Sequence, residues 1–378
     1  MAAWTLCPGV NQEAKRLGRL WITVAVLTLV LASPVSSAAT VTVQDMAGRT
    51  VTAPHDPQRV ICIGPGTLRL IVYLQAQDKV VGVEELEKRF PRGRPYWMAH
   101  PELHDLPLCG PGGPASINQK PQMEVVLDLQ PEIIFVTYMS ASLADEVQAT
   151  LDIPVVVLSY GTFANFDATV YEALGTAGKI LDRENRAEGV VGFIESERKE
   201  LTRRAGQQQG QKKPGVFVGG IGYRGAHGLE STMKAFAPFD WVQARNLAKG
   251  LQTPKESHVF LSTETLLSLN PEVIFIDGGG LSLVTRAYRE KQAIYEALQA
   301  FQDRRVHVLH PFNWYTTNIG TVITDAYAVG KVLSPHAFKD VQLGSKADEV
   351  YVFLVGEPVY HQMEQDYGPL GGVAPFLK

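Results

Sequence analysis

Two stretches of the chain are nearly the same phrase. Residues 122–136 read QMEVVLDLQPEIIFV and residues 262–276 read STETLLSLNPEVIFI, so a shift of 140 positions superimposes one on the other. Each copy has a short helical pattern, a proline that stops the helix, and a β-branched and aromatic run typical of a buried strand. The repeat predicts two similar α/β lobes, one in each half of the chain.

Within each copy, the apolar residues and the glutamate have different expected roles. The residues predicted to belong to ordinary core are Leu127, Leu129 and Phe135, with their partners Leu267, Leu269 and Phe275. Glu124 and Glu264 lie in the first helical turn, where a carboxylate also stabilises the helix dipole.

Length and charge narrow the class of protein. The 378 residues favour two domains, and the 45% of hydrophobic residues is typical of a globular chain. The net charge of −4 supplies no general basic field, so nucleic acid is not expected as a partner.

The N-terminus predicts export. A basic segment (15–19) precedes an apolar run (20–31), and small residues follow (36–39). We therefore expect residues 1–38 to be a signal peptide cleaved near Ala38, and the mature protein to be periplasmic. An uncleaved N-terminal anchor is the alternative.

Of the three cysteines, Cys7 lies within this signal. An oxidising compartment permits a disulfide between Cys62 and Cys109. A buried free thiol at Cys62, which sits in a strand-like run, is the alternative.

The rest of the chain divides into three predicted parts. They are an N-terminal α/β lobe (39–165), a connecting helix (166–208) and a C-terminal α/β lobe (209–378). The connector passes almost forty residues without proline or strand signal, which predicts one long helix or two in tandem. Residues 90–118, rich in Pro and Gly, predict a long surface loop, and residues 282–301 predict one helix.

In open α/β sheets, ligands bind at the carboxyl ends of the strands. The strand-end loops are 64–69, 138–140, 159–163, 219–228, 277–281 and 310–316. Their aromatic and basic side chains suit an anionic or large planar ligand. The candidate ligand-binding residues are Gly66, Thr67, Arg69, Tyr138, Tyr160, Tyr223, Arg224, His227, Asn313, Trp314 and Tyr315.

Several of these loops have a purely structural alternative. Residues 64–67 suit a tight turn between strand and helix, and Trp314 and Tyr315 suit a cover for the core. Asp277 can cap a helix, and His310 suits a surface position at a strand end.

Signals for catalysis are absent from the sequence. There is no HExxH, GxSxG, P-loop or paired CxxC motif. A two-lobe periplasmic enzyme, the alternative from another class, would need a nucleophile–base pair or a cofactor motif. We therefore expect no enzyme and no cofactor, and we leave direct metal coordination by the protein open.

Three further features resemble a known family. They are Arg59-Val-Ile-Cys-Ile-Gly with Val80-Val-Gly-Val83 downstream, the paired repeat, and Asn313-Trp-Tyr-Thr-Thr-Asn318 with Asp325-Ala-Tyr327. With the export signal, they resemble the periplasmic substrate-binding proteins of the iron-siderophore and cobalamin (class III) ABC importers. The last segment is similar to a subgroup for iron complexes whose relatives bind molybdate or tungstate.

The resemblance implies a fold and a role. The fold is two Rossmann-like lobes joined by a single long helix, with the ligand cleft between the lobes. The role is capture of a metal complex, first an iron(III) chelate, with molybdate or tungstate and then a corrinoid as alternatives. The protein would act as a monomer and deliver its ligand to an ABC permease dimer, on which Glu124 and Glu264 would dock. One departure is that only Arg69 and Arg224 stand at the expected loops, where siderophore binders often have an arginine cluster.

Overall fold

The central strands of both lobes are buried along their whole length, and nearly all of their residues are apolar. Every residue of Val60–Ile63, Ile133–Thr137, Gly215–Gly219 and Val273–Asp277 is buried. Parallel strands that helices cover on both faces require such continuous apolar runs.

The computed structural model describes Met1 and residues 39–162, 165–207, 213–222, 225–252 and 258–377. Apart from Met1, the predicted signal peptide lies outside these residues. Met1–Ala39 and Thr40–Lys378 are separate units, and both lobes belong to the second. None of the helices in the described ranges has the length and apolar character needed to cross a bilayer.

The first lobe contains a parallel sheet and an N-terminal hairpin. Its strands are β1 (Thr40–Gln44), β2 (Thr50–Pro54), β3 (Val60–Ile63), β4 (Val80–Glu84), β5 (Leu108–Gly110), β6 (Ile133–Thr137) and β7 (Val155–Leu158). Its helices are α1 (Thr67–Tyr73), α2 (Glu85–Arg89), α3 (Pro95–Met98), α4 (Met123–Asp128) and α5 (Ala141–Leu151). The sheet order is β5-β4-β3-β6-β7 with parallel pairs, whereas β1 and β2 pair antiparallel.

The connecting segment contains two helices in tandem, α6 (Thr169–Ile180) and α7 (Glu184–Gly206). They separate at Asp182, whose φ of +55° is left-handed. Helix α6 packs on the first lobe, and the long helix α7 leads into the second.

The second lobe repeats the plan. Its strands are β8 (Gly215–Gly219), β9 (Ser231–Thr232), β10 (Arg245–Asn246), β11 (Val259–Phe260), β12 (Val273–Asp277) and β13 (Val306–Leu309). Its helices are α8 (Ala237–Trp241), α9 (Thr263–Leu269), α10 (Leu281–Glu290), α11 (Gln292–Tyr295), α12 (Gln299–Gln302), α13 (Ile319–Leu333), α14 (Leu343–Val355) and α15 (Tyr360–Tyr367). The parallel sheet has the order β10-β8-β12-β13, and the predicted α/β fold class is confirmed.

The C-terminal tail lies beside the last strand of this sheet. The Gly371 N–H donates to the Val308 carbonyl (2.8 Å), and the Ala374 N–H donates to the Val306 carbonyl (2.8 Å). His307 and Val373 form an antiparallel bridge, so the tail pairs along the edge of β13.

The repeat occupies equivalent places in the two lobes. Its strand is β6 in one lobe and β12 in the other, and each pairs with the opening central strand, β3 or β8. Of the six predicted core residues, Phe135 and Phe275 are fully buried, and Leu129, Leu267 and Leu269 pack half-buried against the cores of their lobes. The prediction is wrong for Leu127, which is 46% exposed, and the fully buried residues of the two repeat helices are Val126 and Leu266.

Two further predictions are corrected. Residues 282–301 form three short helices, since the Asn270 side chain accepts from the Gln299 N–H (2.9 Å) and starts a new turn there. The segment 90–118 is partly interior, because Arg94, Tyr96 and Trp97 are buried.

Candidate functional site

A cleft of about 860 Å³ opens between the two lobes. The first lobe contributes residues 89–92, which follow α2. The second lobe contributes residues 278–289 after β12, together with Trp314, Asp366 and Tyr367. The strand ends of β4 and β12 therefore face each other, as expected for a binding cleft in α/β lobes.

The cleft is strongly basic. Arg89, Arg92, Arg286 and Arg289 line it against a single carboxylate, Asp366, whereas the whole chain has a net charge of −4. The Arg92 Nε lies 3.5 Å from Asp366 Oδ1, and the other three form no ion pair with the residues that the structure describes. Guanidinium groups offer forked donors that match carboxylate, phenolate and oxyanion groups, so the cleft suits an anion.

The arginines reach the cleft for local reasons. Arg89 is the last residue of α2, so its side chain extends from the end of the helix. Arg286 and Arg289 are three residues apart on α10, which places them on one face. Helix α10 begins after Gly278 and Gly279, which also line the cleft, so the positive end of its dipole lies at the same place.

An aromatic pair bridges the cleft. The ring of Phe90 in the first lobe stacks on Trp314 in the second, with centroids 6.2 Å apart and planes 20° apart. Gly93 makes room for the indole, since a Cβ there would lie 2.9 Å from Trp314 Cδ1. The cleft therefore combines charged donors with apolar faces that can cover a planar group.

Trp314 begins a four-residue segment, Trp314–Thr317, which we call the strap. It belongs to the second lobe but is held by Arg69 of the first. Arg69 Nη1 donates to the Thr317 carbonyl (2.9 Å), and Nη2 donates to the Trp314 carbonyl (2.8 Å) and the Tyr315 carbonyl (3.2 Å). Arg69 is fully buried, so the structure gives this predicted ligand-binding residue a place between the lobes and not in the cleft.

Tyr315 also holds the strap to the first lobe. Its hydroxyl donates to Glu84 Oε2 (2.7 Å) and accepts from the Gly113 N–H (2.9 Å). Burial raises the pKa of Glu84 to about 7, although the Tyr315 hydrogen bond opposes that rise. Burial also raises the pKa of Tyr315, so the tyrosine is the donor of this pair.

Four other predicted residues lie at or next to the surface of the first lobe on which the strap packs. Gly66 has a φ of +79°, and a Cβ there would lie 2.6 Å from Thr316 Cγ2. The Tyr160 hydroxyl donates to the Gly66 carbonyl (2.9 Å), and Thr67 Oγ1 donates to the Ile63 carbonyl (2.7 Å). Tyr138 Oη lies 3.5 Å from Thr316 Oγ1. The strand-end loops are thus brought together as predicted, but around the strap.

The remaining candidates lie elsewhere. Asn313 pairs with Thr317 at the base of the strap. The His227 ring packs edge-on against Phe260 at 4.8 Å, away from the cleft lining. Tyr223 and Arg224 lie outside the described residues. Of the predicted residues that the structure describes, Trp314 alone lines the cleft.

The four arginines of the cleft are not among the residues predicted to bind the ligand. Two of them lie in or next to the predicted surface loop (90–118), and two lie in the segment predicted as one helix (282–301). The available signal was the clustering of Arg89, Arg92 and Arg94 next to a strand end, and the spacing of Arg286 and Arg289 directly after the glycines that end β12.

Buried polar side chains lie next to the glycines that line the cleft, Gly278 and Gly279. Asp277 Oδ1 accepts from the Gly279 N–H (2.8 Å), so the capping alternative for this aspartate is confirmed. His310, expected at the surface, is fully buried, and its Nε2 donates to the Gly368 carbonyl (3.0 Å). Burial lowers the pKa of His310 to about 4 and raises that of Asp325, which accepts from the His310 N–H. The His310 imidazole is therefore neutral at pH 7, and burial favours the protonated form of the Asp325 carboxyl.

Asp277 makes stability depend on pH. Burial raises its pKa to about 7, whereas an unfolded aspartate titrates near about 3.9. Between these values the folded chain retains a proton that the unfolded chain releases, so the free energy of unfolding falls as the pH rises. We expect Asp277→Asn, which keeps an acceptor for Gly279, to gain on the order of 2–4 kcal/mol relative to wild type between pH 4 and pH 8.

Urea denaturation at pH 4, 6 and 8 measures this difference. The comparison must be between variant and wild type, because Glu84 titrates in the same direction. Asp303→Asn, at an exposed position, is the control and should show no such trend. Parallel stability curves for Asp277→Asn and wild type would contradict the prediction.

Neither cysteine residues nor a cluster of metal-ligating side chains is found among the described residues that line the cleft. Cys62 and Cys109 are free and buried, so the disulfide alternative is wrong, and burial raises the pKa of both thiols. Within the described ranges, no three His, Cys, Asp or Glu side chains form a group that could hold a metal ion.

Comparison with known proteins gives the same fold. The molybdate-binding protein MolA of Haemophilus influenzae is 24% identical over 332 residues, which span 82% of this chain and 89% of MolA. A periplasmic solute binding protein from Veillonella parvula has a TM-score of 0.69 at 17% identity, covering 87% of this chain and 97% of that one. The structure of MolA bound to molybdate has a TM-score of 0.66 at 20% identity, covering 84% of this chain and 98% of that one.

The family model described as "Periplasmic binding protein" matches residues 60–311, two thirds of the chain. This span begins at β3 and ends just after β13, so it contains the parallel sheets of both lobes. These relatives are substrate-binding proteins of ABC transporters and not enzymes. The chain belongs to the periplasmic binding protein family.

Proposed function

We propose that this protein captures an anionic metal chelate and delivers it to an ABC importer. The first candidate for the chelate is an iron(III) complex. Membership of the family supports a periplasmic protein that binds a small ligand for a cognate transporter. The observation that carries the choice of ligand is the interlobe cleft with four arginines and one aspartate.

The size of the cleft favours a chelate over a bare oxyanion. Ligand pockets for molecules of drug size enclose about 300–1,000 Å³, and this cleft encloses about 860 Å³. A tetrahedral oxyanion would fill only a small part of that space and would make little contact with the rings of Phe90 and Trp314. An anionic chelate with planar groups can contact both the arginines and the rings.

Molybdate or tungstate is the second candidate. It is favoured by the similarity to MolA, whose name records molybdate as its ligand. A pair of arginines such as Arg286 and Arg289 can hold a doubly charged oxyanion, which the dipole at the start of α10 also favours. A corrinoid is the third candidate, because the aromatic faces suit its planar ring but its recognition needs no concentration of positive charge.

Calorimetric titration of the purified protein decides between these ligands. The panel is ferric citrate, a ferric tricatecholate, molybdate, tungstate and cobalamin. We expect the tightest binding with a ferric chelate, and an affinity that falls as the salt concentration rises. Binding of molybdate or tungstate alone would establish the second candidate, and no binding of any anion would overturn the proposal.

Glu124 and Glu264 are proposed to dock on the permease. Each lies in the first turn of its repeat helix, α4 or α9, and both side chains are exposed. Hydrogen bonds from its own backbone N–H and from Ser262 lower the pKa of Glu264, which keeps it ionised. Two exposed carboxylates, one on each lobe, can meet basic groups on the two halves of a dimeric permease.

We expect the double change Glu124→Ala with Glu264→Ala to leave ligand affinity unchanged and to reduce uptake at least tenfold. Affinity is measured by titration, and uptake with labelled ligand in vesicles that contain the cognate importer. The matched control is Glu188→Ala with Glu357→Ala, which removes the same charge from exposed positions. Loss of affinity would assign the glutamates to the site or the fold, and normal uptake would exclude them from docking.

A further inference from the structure

We propose that Arg69 and Tyr315 are positioning residues for the ligand: Arg69 in the first lobe and Tyr315 in the strap itself bind the strap to the first lobe, so that Trp314 forms the aromatic wall of the cleft. The inference rests on the proposed function, because the cleft is taken as the ligand site. Neither residue lines the cleft, so each would act on the ligand through Trp314.

The strap is attached to one lobe by the chain and to the other by hydrogen bonds. Three backbone carbonyls of the strap accept from Arg69. The Tyr315 hydroxyl contacts Glu84 and Gly113, and Thr317 Oγ1 donates to the Asn165 carbonyl (3.1 Å). Four separate segments of the first lobe therefore hold one short segment of the second.

The backbone of the strap depends on being held. Tyr315 and Thr316 have φ values of +49° and +65°, in the left-handed region that residues other than glycine rarely adopt. Such conformations persist only where the surroundings fix them, especially for a β-branched threonine. Loss of the contacts with the first lobe would let the strap return to ordinary backbone angles.

Trp314 immediately precedes these two residues, so its side-chain direction follows their conformation. Its indole stacks on Phe90 and lines the cleft. Relaxation of the strap would turn the indole away from Phe90 and expose it to water. Ligand affinity would then fall although every arginine of the cleft remained.

Tyr315→Phe tests this with a small change, since it removes only the hydroxyl. We expect the emission of Trp314 to shift to longer wavelength, and the affinity for ferric citrate or molybdate, whichever wild type binds more tightly, to fall about tenfold. The Trp314 emission is obtained as the difference between each protein and its Trp314→Phe counterpart.

The matched control is Tyr327→Phe. The buried Tyr327 hydroxyl donates to Glu197 Oε2 (2.6 Å), so this variant also loses a buried tyrosine–glutamate hydrogen bond, but away from the cleft. It should lose stability while keeping the Trp314 emission and the affinity. Glu84→Gln, which retains an acceptor for Tyr315, should likewise keep both.

The inference is overturned if Tyr315→Phe lowers the melting temperature but changes neither the Trp314 emission nor the affinity. It is also overturned if Tyr327→Phe changes them equally. Failure of the proposed function is a separate result: wild type would bind no anion, while the Trp314 emission would still report whether Tyr315 holds the strap.

Discussion

Replacement of Arg286 and Arg289 by alanine is expected to weaken binding of an anionic ligand by on the order of 10²-fold. Each guanidinium should provide one charge-assisted hydrogen bond of about 1.5 kcal/mol, the lower end of the usual range because both side chains are exposed. The loss of affinity should be largest at low salt. At high salt, screening already weakens the attraction between the exposed arginines and the ligand in wild type, so less remains to be lost. Calorimetric titration at two salt concentrations measures it.

Two control variants distinguish a specific contribution of Arg286 and Arg289 from an effect of the net charge of the protein. Arg203→Ala with Lys339→Ala removes the same charge from exposed positions outside the cleft and should leave the affinity unchanged. Arg286→Lys with Arg289→Lys keeps the charge but loses the forked donors, so an intermediate affinity is expected. An unchanged affinity in the alanine double variant would remove α10 from the site.

Arg69→Ala is expected to lower the free energy of unfolding by about 3–5 kcal/mol, because three buried carbonyls lose their donor at a cost of about 1–3 kcal/mol each. The guanidinium is fully buried, satisfies three carbonyls and lies 4.8 Å from the Tyr96 ring centroid. Its removal leaves those carbonyls without a partner and leaves a void between the lobes. Urea denaturation of the variant against wild type measures the loss.

Arg59→Ala is the matched control for this prediction. Arg59 also donates to backbone carbonyls, those of Leu129 and Gln130 at 2.6 and 2.9 Å, but in an exposed setting. Water can replace it there, so a loss of no more than about 1 kcal/mol is expected. Equal losses for the two variants would show that burial of Arg69 does not matter.

The fold could be predicted because its signals are local. The helix–proline–strand repeat is readable within fifteen residues, and it fixes one strand beside the opening strand of each lobe. The break of the helix at 282–301 could not be predicted in this way. It depends on Asn270, a residue far along the chain from the turn that it caps.

The residues that line the interlobe cleft were harder to predict than the fold, for a physical reason. Aromatic and basic residues at strand ends were correctly brought together, but the same residue types serve a ligand or a buried contact between lobes. Arg69 and Trp314 illustrate this: the arginine is enclosed by the partner lobe, and the tryptophan two residues from Thr316 remains at the cleft. Whether such a residue contacts a ligand or the other lobe is decided only by how the two lobes are arranged.

The tail beside β13 has a consequence for self-association of the molecule. The sheet of the second lobe ends at β13, and an uncovered strand at this position would offer a row of free N–H and C=O groups to another molecule. Residues 371–374 satisfy those groups from within the chain. A protease cut or a stop codon before residue 371 would therefore produce a protein with an intact cleft and a surface ready for edge-to-edge aggregation.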